Sequence, residues 1–195
     1  MAKHTDKDIG EGIGRAAGGA AGKDEGAASV GPVVLASHLA SGALPQLSEM
    51  EYVLTVATNA FHRWMVRCMT AAGHPGMTPL DVLVMHGVMH KEREKTLSDL
   101  CVVLNVEDTH LVNYSLKKLE GMGLLTTGKR GKEKTARVTA EGMKTCERYH
   151  QIRENLLVES VCDLGVDAAE LAKAARLLRA VSGQYDQAAR SATNL

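Results

Sequence analysis

The sequence predicts a mainly α fold with a small β-hairpin wing, a winged helix-turn-helix flanked by longer helices. Three observations predict it. Thr96–Met122 holds two short amphipathic helices close together. They are followed by Gly123-Leu-Leu125 and then by a basic segment between β-prone residues. Only 3% of the chain is aromatic, with one Trp and one Phe, so its core must be built from Leu, Val, Met and Ala, which favours helices. That order is the sequence shape of a DNA reader, not of a catalytic pocket.

Residues 1 to about 31 carry many Gly and Ala with scattered charges and no periodicity. Such a segment buries too little apolar area to offset its ordering entropy, so a flexible arm and connector are expected over 1–45. A domain over 46–192 follows. Ser48-Glu-Met-Glu51 reads as a capping box, opening a helix to about Ala72. Val53, Val56, Ala57, Ala60, Phe61, Trp64, Met65 and Cys68 fall at helical spacing along it. Gly73-His-Pro-Gly76 ends that helix.

Thr78 reads as the next N-cap, with Pro79 at the first helical position and Asp81 in the first turn. Leu80, Leu83, Val84 and Val88 form its buried side, and Lys91–Lys95 reads as a solvated connector. Thr96–Leu104 is a third helix with Leu97, Leu100, Cys101 and Leu104 inward. Glu107 or Asp108 caps a fourth helix running to Met122. Gly123 breaks it, Leu124–Thr126 reads as a strand, Gly128–Lys134 as a loop and Thr135–Val138 as the return strand. Thr139-Ala-Glu-Gly142 opens a helix to about Asp163, and Asp167 with Glu170 caps a last one after Gly165.

This order resembles the MarR family of bacterial transcription regulators, over roughly residues 48–190. Thr96-Leu-Ser-Asp-Leu100 resembles the family's LTxxxLA opening. Leu116-Lys-Lys-Leu-Glu-Gly-Met-Gly-Leu124 resembles its LxRLExxGL exit from the recognition helix. Val138-Thr-Ala-Glu-Gly142 resembles its LTxxG return from the wing. The chain departs from the family pattern in two places. The tip Gly128–Lys134 lacks the DxRD pattern, and the turn before the fourth helix is about one residue longer. The resemblance implies a DNA-binding lobe over about 78–140. It also implies dimerisation helices over about 48–72 and 140–192, pairing with a second copy across a two-fold axis.

On the fourth helix, Val112, Ser115, Leu116 and Leu119 share the inward face, leaving His110, Asn113, Tyr114, Lys117 and Lys118 outward or on the flank. Asn113 suits an adenine edge; Tyr114 and Lys117 suit phosphates or a thymine methyl. The wing supplies Lys129, Arg130, Lys132, Lys134 and Arg137 against the single acid Glu133, with Arg130 the natural minor-groove probe. The whole chain has 23 basic and 23 acidic residues, so attraction to phosphates has to come from this local patch.

The expected partners are double-stranded DNA, a second copy of the chain and a small-molecule effector. His62, Trp64, His86 and His90 are the effector-pocket candidates, facing the cavity between dimer helices and DNA-binding lobe. His86 and His90 are four apart, but Gly87 replaces the Glu of HExxH and no ligand is tied to them by spacing, so no metal is expected. Cys68, Cys101, Cys146 and Cys162 lie far apart in apolar stretches and read as reduced core residues of a cytoplasmic protein; Cys68 and Cys101 are the redox-sensor alternative. No apolar run spans a membrane. No nucleophile elbow, phosphate loop or dinucleotide fingerprint is present, so neither catalytic residues nor a cofactor are expected. The alternative to a DNA-binding regulator is a winged-helix protein-interaction adaptor that has lost DNA binding.

Overall fold

The computed structural model describes residues 31–195, the side chain of Glu92 excepted. The expected arm over 1–31 therefore lies almost wholly outside the described residues. The chain divides into two compact units, one up to Tyr52 and one from Val53 onward.

The first unit holds a 3-10 turn at Ser37–Ala40 and the opening of helix α1, Pro45–Ala71. The helix starts at Pro45, whose fixed φ and missing N–H suit a first turn. The expected capping box at Ser48 is therefore not formed. Ser48 lies one turn inside the helix, and its hydroxyl donates back to the carbonyl of Leu39.

In the second unit α1 buries only its last turns, through Met65, Cys68 and Met69. Val53, Val56 and Phe61, which fall at helical spacing along α1, are exposed within this chain. Gly73, at φ +103°, turns the chain away.

Helix α2 (Pro79–Met89) carries a complete capping box, Thr78 with Asp81. It buries Val82, Val84, Met85 and Val88, while Leu80 and Leu83 pack half-buried at the core edge. The Lys91–Lys95 connector is not wholly solvated, since Lys95–Thr96 forms a short strand, β1, paired with the wing. Thr96 then caps α3 (Leu97–Leu104) with Asp99 in a second capping box. Asn105, in the left-handed conformation, closes α3, and the amide of Val106 donates to Cys101 O. Asp108 caps α4 (Thr109–Gly121) through the amide of His110 at 2.8 Å.

Gly123, at φ +74°, ends α4, with the amide of Leu124 reaching back to Leu119 O at 3.0 Å. Strands β2 (Leu125–Arg130) and β3 (Glu133–Val138) form the hairpin, and the sheet order is β1-β3-β2. The expected Gly128–Lys134 loop is thus mostly strand. Lys129 pairs with Lys134 and Arg130 with Glu133, leaving Gly131 and Lys132 as a two-residue turn. Gly131, at φ +66°, supplies the one positive-φ position of the turn, as a II′ hairpin requires.

Thr139 caps α5 (Ala140–Arg153), which continues through a π-turn at Glu154–Val158 into α6 (Glu159–Asp163). Gly165 breaks the run, and the capping box of Asp167 with Glu170 opens α7 (Ala168–Ala192). The core gathers Met65, Met69, Met85, Leu100, Leu116, Leu119, Leu124 and Leu125, all essentially inaccessible to solvent. Among the described residues no helix is long and apolar enough to cross a membrane.

Candidate nucleic-acid interface

Helix α4 is seated by the expected face. Val112, Ser115, Leu116 and Leu119 are buried, which rotates His110, Tyr114 and Lys117 outward. Tyr114 is 69% exposed, unusual for a ring with no partner to cover it. Two side-chain contacts fix α4 against the hairpin. Glu120 accepts from the amide of Thr127 at 3.0 Å and from its hydroxyl at 2.7 Å. The Lys134 ammonium donates to Asn113 Oδ1 at 3.1 Å. Asn113 and Lys134 are both half-buried, so they form a bridge between helix and wing.

The wing leaves Lys129, Arg130, Lys132 and Arg137 exposed. Its one acid is turned inward. Bonds from Ser98 and Thr96, in the first turn of α3, hold the Glu133 carboxyl below its usual range. The exposed face of the hairpin is therefore more basic than its composition indicates.

Lys118, expected outward or on the flank, is on the flank. Its ammonium sits 2.6 Å from Asp81 Oδ2 and 2.7 Å from Gly76 O, so it is committed inside the lobe. Asp81 is 1% exposed. Burial alone would push its carboxyl up, but Lys118 and the Thr78 amide outweigh burial and leave it lowered. Lys118 follows buried Ser115 by three positions on α4, and its bond to Asp81 places it on the flank facing α2.

Residues 77–142 match the model of a winged helix DNA-binding domain. Solved structures agree over a longer span. A mutant MarR from E. coli, complexed with operator DNA, is 18% identical, covering 72% of this chain and 99% of its own, with a TM-score of 0.58. A MarR-family transcriptional regulator from Rhodococcus sp. RHA1 is 12% identical over 72% of this chain and 96% of its own, with a TM-score of 0.58. An organohalide-sensing regulator, RdhR, in a 2,4-dichlorophenol-bound form, is 15% identical over 74% and 82%, with a TM-score of 0.56. No curated protein matches in sequence.

The chain has the MarR-type winged-helix fold. Within that fold α3 and α4 are the paired short helices and β2–β3 the wing.

The four effector-pocket candidates do not converge in this MarR-type fold. His62 lines a shallow hollow of about 270 Å³ with Arg63, Val66, Arg67 and Pro79. His90 lines a different one beside α3. Only Trp64 and His86 come together, around Tyr149 of α5. The rings of His86 and Tyr149 meet edge to face, centroids 4.6 Å apart. Burial pushes the Tyr149 hydroxyl up to about 12, with Trp64 as its hydrogen-bond partner. Burial lowers His86, whose Nε2 is enclosed with no partner among the described residues. Helical spacing puts His86 and His90 one turn apart, and the amide of His90 donates to His86 O where α2 ends.

Three cysteines sit as expected. Cys68, Cys101 and Cys146 are buried, and burial raises all three thiols, Cys146 to about 11. That is the opposite of what a thiolate sensor needs. Cys162 is the exception. It is exposed, because α6 extends beyond the core that receives Tyr149. Among the described residues no three His, Cys, Asp or Glu side chains are grouped to hold a metal.

Proposed function

We propose that this protein is a homodimeric transcription regulator that binds double-stranded DNA in a sequence-specific manner. One observation carries the reading: an outward face of α4 bearing His110, Tyr114 and Lys117 lies beside an exposed hairpin bearing Lys129, Arg130, Lys132 and Arg137, joined by the Asn113–Lys134 bridge. A helix with groove-sized polar side chains reads base edges in the major groove. A slim basic hairpin suits the adjacent minor groove, where a narrow width concentrates negative potential around an arginine.

The two-fold partner is supported by unspent apolar surface. Val53, Val56 and Phe61 of α1 and Leu171, Leu177 and Leu178 of α7 are exposed. Pairing them with a second copy would set two α4 helices about one DNA turn apart. The reading includes a small-molecule effector, since one protein of like fold is described with dichlorophenol bound.

Binding to a pool of random duplexes across a salt series tests the reading. The expected result is enrichment of a two-fold symmetric motif by a chain that sediments as a dimer, with affinity falling steeply as salt rises. Arg130→Ala is expected to lose about 1–3 kcal/mol of DNA binding, and Lys132→Ala to weaken all sequences alike and flatten the salt slope. No enrichment, with both variants matching the parent, would refute it.

A further inference from the structure

A hollow of about 380 Å³ lies between the end of α2, the connector to β1 and the outer side of α3. Its size falls in the range of small-molecule sites, roughly 300–1,000 Å³. Gly87 and Leu100 form its floor. A Cβ at Gly87 would sit 3.1 Å from Leu100 Cδ2, so the glycine lets α2 and α3 approach and leaves the space open above. Val102 and Val103, 80% and 74% exposed, form its rim. Two adjacent valines on the solvent side break the polar face that a surface helix normally presents.

The opposite wall is cationic. Arg93 and Lys95 line it beside His90, and the charges of Arg93 and Lys91 are felt at Lys95. Lys95 is 7% exposed, and among the described residues its ammonium has no hydrogen-bonded or ion-paired partner, with the charge of Asp99 as its one acidic answer. A covered lysine is uncommon, because its charge is costly to desolvate. The one acid in the lining, Asp99, acts on Lys95 but is shared with the α3 cap, where it accepts from the Thr96 amide at 3.0 Å. The hollow therefore combines an apolar floor and rim with a net positive wall.

We propose that this hollow binds a small amphiphilic anion, its single anionic group set against Lys95 and Arg93 and its apolar body on Leu100, Val102 and Val103. This is not the place that sequence spacing singled out, since of the four candidates it includes His90 alone. Lys95 also pairs with Ala136 of β3, so the occupant sits against the wing's own sheet without touching the wing tip. The inference deepens the effector part of the reading above. Its test needs no DNA, so its failure leaves DNA binding standing.

The experiment titrates the full chain with two fluorescent probes of like shape, anionic 8-anilinonaphthalene-1-sulfonate and uncharged N-phenyl-1-naphthylamine. The parent is expected to bind the anion saturably. Lys95→Gln should weaken the anion about tenfold, the loss of one charge-assisted contact, and leave the uncharged probe within about twofold. Val103→Glu, a change at an exposed position that leaves the fold intact, should weaken the anion similarly. Lys173→Gln on α7 serves as the control and should change neither. Superimposable titrations of parent, Lys95→Gln and Val103→Glu would overturn the proposal, as would no saturable binding by the parent.

Discussion

The lobe from α2 to the wing and the terminal helix α7 use the same local devices and end in opposite states. Both open on capping boxes, Thr78 with Asp81 and Thr96 with Asp99 in the lobe, Asp167 with Glu170 in α7. Both place leucines at helical spacing. Yet Leu100, Leu116 and Leu119 are fully buried, while α7 buries none of its 25 residues. Caps satisfy the first amides of a helix wherever it lies. Burial requires a neighbour, and the lobe finds its neighbours in this chain whereas α7 leaves Leu171, Leu177 and Leu178 uncovered. Stability should accordingly be an internal property of the lobe and a property of association for α7.

A matched pair of substitutions breaks or sharpens that contrast. Leu116→Ala should cost about 2–5 kcal/mol, since it opens a cavity that α2, α3 and β2 cannot fully close. Leu177→Ala, at a 56% exposed position, should cost under about 0.5 kcal/mol in dilute protein and, in the proposed homodimer, act instead on self-association. Denaturant unfolding at two protein concentrations, with sedimentation, reads both. An equal loss at every concentration would mean that α7 is held within its own subunit.

The next effect in size tests how tightly the lobe closes on itself. A Cβ at Gly142 would lie 2.2 Å from Leu124 O, 2.8 Å from Val138 Cγ2 and 2.9 Å from Met85 Cε. The first of these is backbone and cannot swing away. Gly142→Ala should cost about 1–3 kcal/mol by overpacking, measured as a lower denaturation midpoint. Gly183→Ala in α7, where a Cβ meets nothing, is the contrasting variant and should be neutral or stabilising.

The parts of the molecule that were legible in the sequence are the ones that local chemistry decides. Thr78, Thr96 and Asp167 cap because each is followed three residues on by an acid that answers it. The buried face of α4 follows from spacing alone, and Gly123 from its freedom at positive φ. The start of α1 was not legible, because Pro45 and Ser48 are both start signals and only the fold chooses between them. Gly128 reads as a breaker, but its pairing with Thr135 keeps it in β2. In the candidate interface, the exposed basic residues were visible as a charge run. The Asn113–Lys134 bridge and the Lys118–Asp81 pair were not, since each joins residues more than twenty apart.

That ion pair yields the third prediction. Lys118→Met leaves the Asp81 carboxylate buried without its counter-charge and should cost about 1–3 kcal/mol. It should leave the salt slope of DNA binding unchanged, unlike Lys132→Ala, because Lys118 faces α2. Asp81→Asn combined with Lys118→Met should recover part of the loss. A salt slope altered by Lys118→Met would return the residue to the interface.

The smallest expected effect sits at the seam between the lobe and the long helices. His86 of α2 meets Tyr149 of α5, and burial holds its imidazole neutral by lowering its pKa from the usual value of about 6.5. Below that value the unfolded chain takes up a proton that the folded chain resists. Stability is therefore full above about pH 6.5 and falls as the solution is acidified toward the folded pKa. His86→Phe keeps a ring against Tyr149 and removes the titration, so its unfolding midpoint should change less between pH 7.5 and pH 5.5 than the parent's. Asp81, also lowered, titrates only at far more acidic pH and does not enter this window. If the parent and His86→Phe lose stability in parallel, the seam opens to water without cost. The lobe and the long helices would then be less firmly joined than the edge-to-face contact implies.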